Sequence, residues 1–321
     1  MRPTYREMPK AELHLHLEGS LEPETLAELD PHLDLAAARA RYQYADFQGF
    51  IQGYIWAVGH LKAPEHFALA ARRLLERLHA QNVCYTEITL SAGVMFKRGQ
   101  NAAEIFAAVQ EEAAHSPVEV RWILDAVRQW GAEPAREVLR LAIERIDVGI
   151  IGFGIGGDEA AGPVEWFGEL MEEAREAGLR LTIHAGEGAG AESVRNAVRL
   201  GAERIGHGIR AVNDAALLAE LAGRRIPLEI CISSNVATRI VPSLERHPVR
   251  RIYDAGVPIV LATDDPAMFH TTLEREYELA RERFGFTDEE LCGIVENGFR
   301  YAFSAGAANE ARHRLPREPV G

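Results

Sequence analysis

Eight short apolar runs, rich in Val, Ile and Leu, recur along this 321-residue chain near residues 11–17, 83–90, 118–127, 148–155, 179–184, 203–207, 227–232 and 258–263. They show little polar alternation, the pattern of parallel strands buried on both faces. Amphipathic stretches separate them, among them 102–115, 133–145, 164–177 and 271–284. Pro163 suits the first position of one such helix, and Gly178 its stop. Eight strands alternating with helices predict an α/β fold, a (β/α)8 TIM barrel, with an open doubly wound sheet as the rival that gives the same alternation. The interval 21–80 breaks the rhythm. It reads as helical, most clearly at 46–60 and 64–79, and an insertion between the first two strands would rise as a lid at the top of the barrel. No linker, repeat or low-complexity tract divides the chain, so residues 1–321 read as one domain.

Charge and composition exclude several classes. The balance of 35 Lys+Arg against 48 Asp+Glu gives a formal charge of −13, which argues against holding nucleic acid by phosphate neutralisation. No stretch approaches the roughly 18–20 apolar residues of a membrane span. The first ten residues carry Arg2, Arg6, Glu7 and Lys10 and no apolar core, so they do not read as a signal peptide. Cys84, Cys231 and Cys292 are odd in number and far apart, as expected for buried thiols in a reducing cytoplasm. A small-molecule partner is expected, and a homo-oligomer is compatible with all of this.

The polar residues fall at the carboxyl ends of the runs. The first run reads Glu12-Leu13-His14-Leu15-His16-Leu17-Glu18, so strand alternation predicts Glu12, His14, His16 and Glu18 on one face. The fifth ends in His184-Ala185-Gly186-Glu187, the sixth in Gly206-His207-Gly208, and the eighth in Thr263-Asp264-Asp265. A lone His-x-His is often a hydrogen-bonded core pair, and Asp264-Asp265 before Pro266 could be a helix start. Convergence changes the weighing: a barrel brings three histidines and a carboxylate from strands one, five and eight to one mouth. Such a set suits Zn²⁺ with a position left open for water. The only lysines are Lys10, Lys62 and Lys97, none near 148–157, so a lysine-bridged pair of metals is disfavoured and one ion per chain is expected.

Gly152-Phe153-Gly154-Ile155-Gly156-Gly157 matches G-x-G-x-x-G after a strand, which a nicotinamide-binding oxidoreductase would use. However, Asp158 to Gly162 intervene before Pro163, so no helix opens on those glycines. H-E-x-x-H, G-x-S-x-G, the P-loop and the H-x-E…P-C-x-x-C signature of cytidine-type deaminases are absent.

At His14-Leu15-His16-Leu17-Glu18-Gly19-Ser20, Gly156-Gly157-Asp158-Glu159, His184-Ala185-Gly186-Glu187, Arg204-Ile205-Gly206-His207-Gly208 and Thr263-Asp264-Asp265-Pro266-Ala267-Met268-Phe269, the sequence resembles the adenosine deaminase family of the amidohydrolase superfamily. The segments run in family order over nearly the whole chain. The resemblance implies a barrel with a single zinc that hydrolyses the exocyclic amine from C6 of an adenine ring. It implies His14, His16, His184 and Asp264 as zinc ligands, and Glu187 as proton donor to ring N1. His207 is similar to the residue that orients and deprotonates the attacking water. Asp265 resembles the contact to N7, and Gly157 the glycine whose N–H meets N3. His16 and Glu18 complete the expected substrate-facing set.

Two departures bear on the substrate. Glu18 stands where adenosine deaminases usually carry the Asp that meets ribose, and is more similar to adenine deaminases or to enzymes of modified adenosines. Gly157-Asp158-Glu159 is closer to the nucleoside deaminases, and Arg239 follows Thr238 where the family often has Gly. The expected substrate is adenosine or a nucleoside with an extended 5′ side such as aminodeoxyfutalosine, with free adenine as the alternative.

Overall fold

The structure, a computed structural model, describes residues 4–314; Arg2, used above in reading the first segment, lies outside them. Eight parallel strands pair in chain order: β1 (Lys10–His16), β2 (Val83–Leu90), β3 (Glu119–Val127), β4 (Ile150–Gly156), β5 (Arg180–Ala185), β6 (Arg204–His207), β7 (Leu228–Ile230) and β8 (Ile259–Leu261). The ring closes just beyond β8. There His16 N–H donates to the Asp264 carbonyl at 2.8 Å, and Asp264 N–H donates to the His14 carbonyl at 3.0 Å. This is the (β/α)8 barrel, and the open doubly wound sheet is excluded. Every strand end lies within two residues of its apolar run, because a strand covered on both faces must be apolar along its whole length.

β1 departs from simple alternation. Glu12 pairs with Thr86 and Leu15 with Ile88, so three steps on β1 oppose two on β2. The extra residue changes the side on which the preceding side chains emerge. Glu12 consequently leaves the face of His14. Its Oε1 accepts from Thr263 N–H at 3.0 Å, beside Leu74, Leu78 and Leu273 outside the barrel. Glu18 leaves the strand altogether, opening a 3₁₀ turn at Glu18–Ser20.

Four helices fill the first connection: α1 (Pro23–Leu29), α2 (Leu35–Arg41), α3 (Phe47–Val58) and α4 (Pro64–Ala80). In α4, Phe67, Ala70, Ala71, Leu74, Leu75 and Leu78 repeat at helical spacing and are all buried. Each large side chain of that stripe contributes about 1.5–3 kcal/mol on burial. α3 begins at Asp46, whose carboxylate caps it by accepting from Gly49 N–H at 2.8 Å. It turns Phe47, Phe50, Ile51 and Tyr54 toward a cavity at the carboxyl ends of the strands, while Phe50 packs on Phe269 with ring centroids 4.8 Å apart. The helix Gly168–Glu176 stops where Gly178 takes φ +92°, a conformation that glycine adopts without a Cβ clash. Among the described residues, no helix is long and apolar enough to cross a membrane.

Candidate active site

The carboxyl ends of β1, β5 and β6 and the turn after β8 bring their polar side chains together. One ligand atom each from His14, His184, His207 and Asp264 lie within 4.8 Å of one another. His16 joins them: its Nε2 is 3.3 Å from both His184 Nε2 and Asp264 Oδ1. His14 Nε2 lies 3.5 Å from the same carboxylate oxygen and makes no hydrogen bond. His207 and Asp264 hold left-handed backbones, φ 59° and 64°, conformations uncommon outside glycine that concentrate at functional sites. His207 ends β6, and Asp264 follows β8 in the turn, where its backbone bonds to His14 and His16 hold it.

Hydrogen bonds set which ring nitrogens carry protons. His14 Nδ1–H donates to Glu229 Oε2 at 2.6 Å, which turns Nε2 into the cluster. Burial alone would raise the Glu229 carboxyl, but the Arg204 guanidinium and His14 outweigh it and hold it at about 2. His207 is set from further away. Val249 N–H donates to His247 Nδ1 at 3.2 Å, so His247 Nε2–H must donate to Asn235 Oδ1, also at 3.2 Å. The Asn235 amide NH₂ then donates to His207 Nδ1 at 3.1 Å, which places the His207 proton on Nε2. His14 thus turns to the cluster the nitrogen that a neutral ring would offer to a metal, while His207 offers a donor. His184 is kept neutral, its pKa driven well below the usual histidine range by burial and by the neighbouring histidines.

Glu187 and Asp265 line the cavity with His184, His207 and Asp264, together with His16, Gly157 and Asp158. Glu187 Oε2 is 3.6 Å from His207 Nε2. Burial pushes its carboxyl up to about 8, and the Asp264 charge adds to the shift. Asp265 is also pushed to about 8, by burial and then Asp264. It packs so tightly on Gly19 that a Cβ there would fall 1.6 Å from Oδ1. The loop that carries Glu187 hangs on Glu159, whose carboxylate accepts from Gly186, Glu187 and Ala189 N–H at 2.7–2.9 Å and from Ser193 Oγ at 2.6 Å. The whole cavity holds about 400 Å³, within the range of small-molecule sites.

The structure places two expected residues differently from the rest. Glu18 is only 1% exposed and is not a lining residue; its Oε1 accepts from Ser91 N–H at 3.0 Å beneath the cavity. Arg239 is exposed at the rim in a left-handed conformation, φ 62°, while its neighbour Thr238 lines the cavity.

Sequence reasoning missed the layer behind the site. Arg204 is buried inside the barrel between Glu229 and Glu87, and Arg128 donates to the carbonyls of His184 and Gly162 at 2.7 and 2.6 Å. The available signal was a charged residue inside an apolar run: Glu87, Asp125 and Glu229 each interrupt one. Glu229→Ala would leave Arg204 with one carboxylate and His14 Nδ1 with no acceptor. Breaking a buried ion pair from one side costs about 3–5 kcal/mol, and we expect that loss in denaturant unfolding of the variant. A cost below about 1 kcal/mol, typical of surface pairs, would remove the network from the support of His14.

The adenosine deaminase family profile matches residues 9–315. An aminodeoxyfutalosine deaminase of Streptomyces avermitilis is 36% identical over 319 residues, covering 95% of this chain and 89% of the relative. An adenine deaminase of Rhizobium rhizogenes is 36% identical over 313 residues, covering 95% and 97%. Among solved structures, a cog1816 amidohydrolase from Burkholderia ambifaria with bound Zn superposes with a TM-score of 0.86 at 26% identity, covering 97% and 90%. A match along nearly the full length, on a barrel whose strand ends gather these histidines and carboxylates, makes this chain an enzyme belonging to the adenosine deaminase family.

Proposed function

We propose that the protein hydrolyses the exocyclic amine from C6 of an adenine-containing nucleoside, with one Zn²⁺ bound by His14, His16, His184 and Asp264. The observation that carries this reading is a buried cluster in which His14 and His16 approach one oxygen of Asp264 and His184 stands against His16, with His14 Nε2 directed inward and without a hydrogen bond. Neutral imidazole and carboxylate are the donors zinc prefers. The zinc found in the Burkholderia relative supports the choice of metal. When bound, zinc supplies Lewis acidity that makes water a nucleophile near neutral pH.

The remaining chemistry falls to the chain's own groups. Negative charge develops on the purine ring as oxygen adds at C6, and it must be quenched at N1. Glu187, protonated in its buried setting, is the acid placed to do so. His207 presents Nε2–H toward the same space and orients the attacking oxygen. Asp265 meets N7, and the backbone N–H of Gly157 meets N3. One proton of the attacking water ends on the exocyclic amine, and the C6–N bond breaks with release of ammonia. The C6 hydroxyl returns its proton to the Glu187 carboxylate as the carbonyl forms, so N1 keeps the proton it received and the acid is restored.

Free adenine is the second reading, favoured by the 36% identity to the Rhizobium adenine deaminase. Ammonia release from adenine, adenosine, deoxyadenosine and aminodeoxyfutalosine tests both. Turnover of at least one nucleoside with higher kcat/KM than adenine is expected. A preference for adenine would transfer the assignment to the second reading, and no turnover of any of the four would overturn both.

A further inference from the structure

Asp125 takes no part in the chemistry above, yet it is built into the same cavity. It lies two residues before the end of β3, is 5% exposed, and lines the cavity with Oδ1 unpartnered. β4 makes room for it with glycines: a Cβ on Gly154 would lie 3.1 Å from Oδ1, and one on Gly156 2.7 Å from Oδ2. Buried acceptors normally find a donor, so an unpaired carboxylate in the wall of a substrate cavity points to donors on the substrate.

Position names the part of the substrate concerned. The reacting groups stand at the ends of β1, β5 and β6 and after β8, whereas Asp125 stands across the mouth on β3. C6 and N9 lie at opposite ends of a purine. With C6 at His207 and Glu187, N9 and its substituent point toward β3 and α3. At that end the lining carries the carboxylates of Asp125 and Asp158, and no Lys or Arg is among the described lining residues. A phosphate there would face like charge with no cation to offset it.

On the proposed reading of the site, we infer that Asp125 is a specificity-determining residue: it accepts hydrogen bonds from the sugar hydroxyls of an adenine nucleoside and disfavours the same nucleoside bearing a 5′-phosphate. The sugar supplies the donors the carboxylate lacks, and free adenine offers none at that end.

The test compares the zinc-loaded parent with Asp125→Asn, which keeps the shape and removes the charge. A hydrogen bond to a charged group corresponds to roughly 10–150-fold, and kcat/KM for adenosine should fall by that factor, mainly through KM. Activity on adenine should change by less than about threefold, since uniform binding at the sugar is what is lost. The preference for adenosine over AMP should narrow in the variant, a readout that a purely structural role would not move. Zinc content should stay at the parent level. Equal losses on adenosine and adenine, or no loss on either, would overturn the assignment. Calorimetry with inosine and hypoxanthine separates this inference from the functional reading, because it needs no turnover. Tighter binding of inosine by the parent, reduced in Asp125→Asn, supports the role of Asp125 even if no ammonia is released. Absence of that preference in the parent, or its persistence in the variant, overturns it.

Discussion

His14→Ala is expected to purify with almost no bound metal and to release no measurable ammonia. The imidazole is anchored from behind by Glu229, so its Nε2 is held in place before any ion arrives. Losing a partner behind a ligand typically costs about 10–100-fold in metal affinity; losing the ligand itself should exceed that. Asp264→Ala should behave alike, since Asp264 Oδ1 is the atom that both His14 and His16 approach. His207→Ala is the informative contrast. His207 is as close to the cluster as the others, but its proton sits on Nε2, so it should keep the metal and lose only rate. Elemental analysis of the three variants decides between these roles. Full metal in His14→Ala, two metals per parent chain, or metal loss in His207→Ala would each redraw the ligand set.

The barrel was legible because two-sided burial forces each strand to be apolar from end to end, leaving eight runs that could hardly be hidden. The mouth was legible for the opposite reason. His14, His184, His207 and Asp264 fall where those runs stop, and closure of the ring brings them together. Details within β1 were not. An irregular pairing between Glu12 and Leu15 costs no change in composition, so strict alternation placed Glu12 with His14 when it faces outward against Thr263. Glu18 was lost one step later, where the strand gives way to a turn that carries it below the cavity.

The supporting layer was hidden differently. Asn235 and His247 lie 28 and 40 residues beyond His207 in sequence, and nothing in spacing alone joins them. They act by relaying one backbone N–H, that of Val249, through two side chains to a tautomer. Glu229 and Asp125 did leave a trace, as carboxylates inside apolar strands. Such residues are too costly to bury unless paired or used. Glu229 is paired, and Asp125 is the one left with an oxygen to offer.

Glu187→Gln should fold, retain its metal and lose about 10²–10⁴-fold in kcat, the usual worth of a general acid. The amide matches the carboxyl in shape, and the loop beneath it is held by Glu159 through backbone N–H groups that the substitution leaves untouched. What changes is the proton. Burial and the Asp264 charge hold the Glu187 carboxyl in its protonated form near neutrality, able to release that proton to N1 as charge develops. Glutamine can donate a hydrogen bond to N1 but cannot transfer the proton, so binding should survive where turnover does not. The expected pattern is therefore a large fall in kcat with KM changed by less than about tenfold, as for an interaction made only in the transition state. Glu187→Asp is the companion variant: it keeps the acid but shortens its reach, and should recover part of the rate that Gln loses. A Gln variant within a few-fold of the parent, or an Asp variant no better than Gln, would move the acid elsewhere, with Asp265 as the next buried carboxyl on the cavity wall.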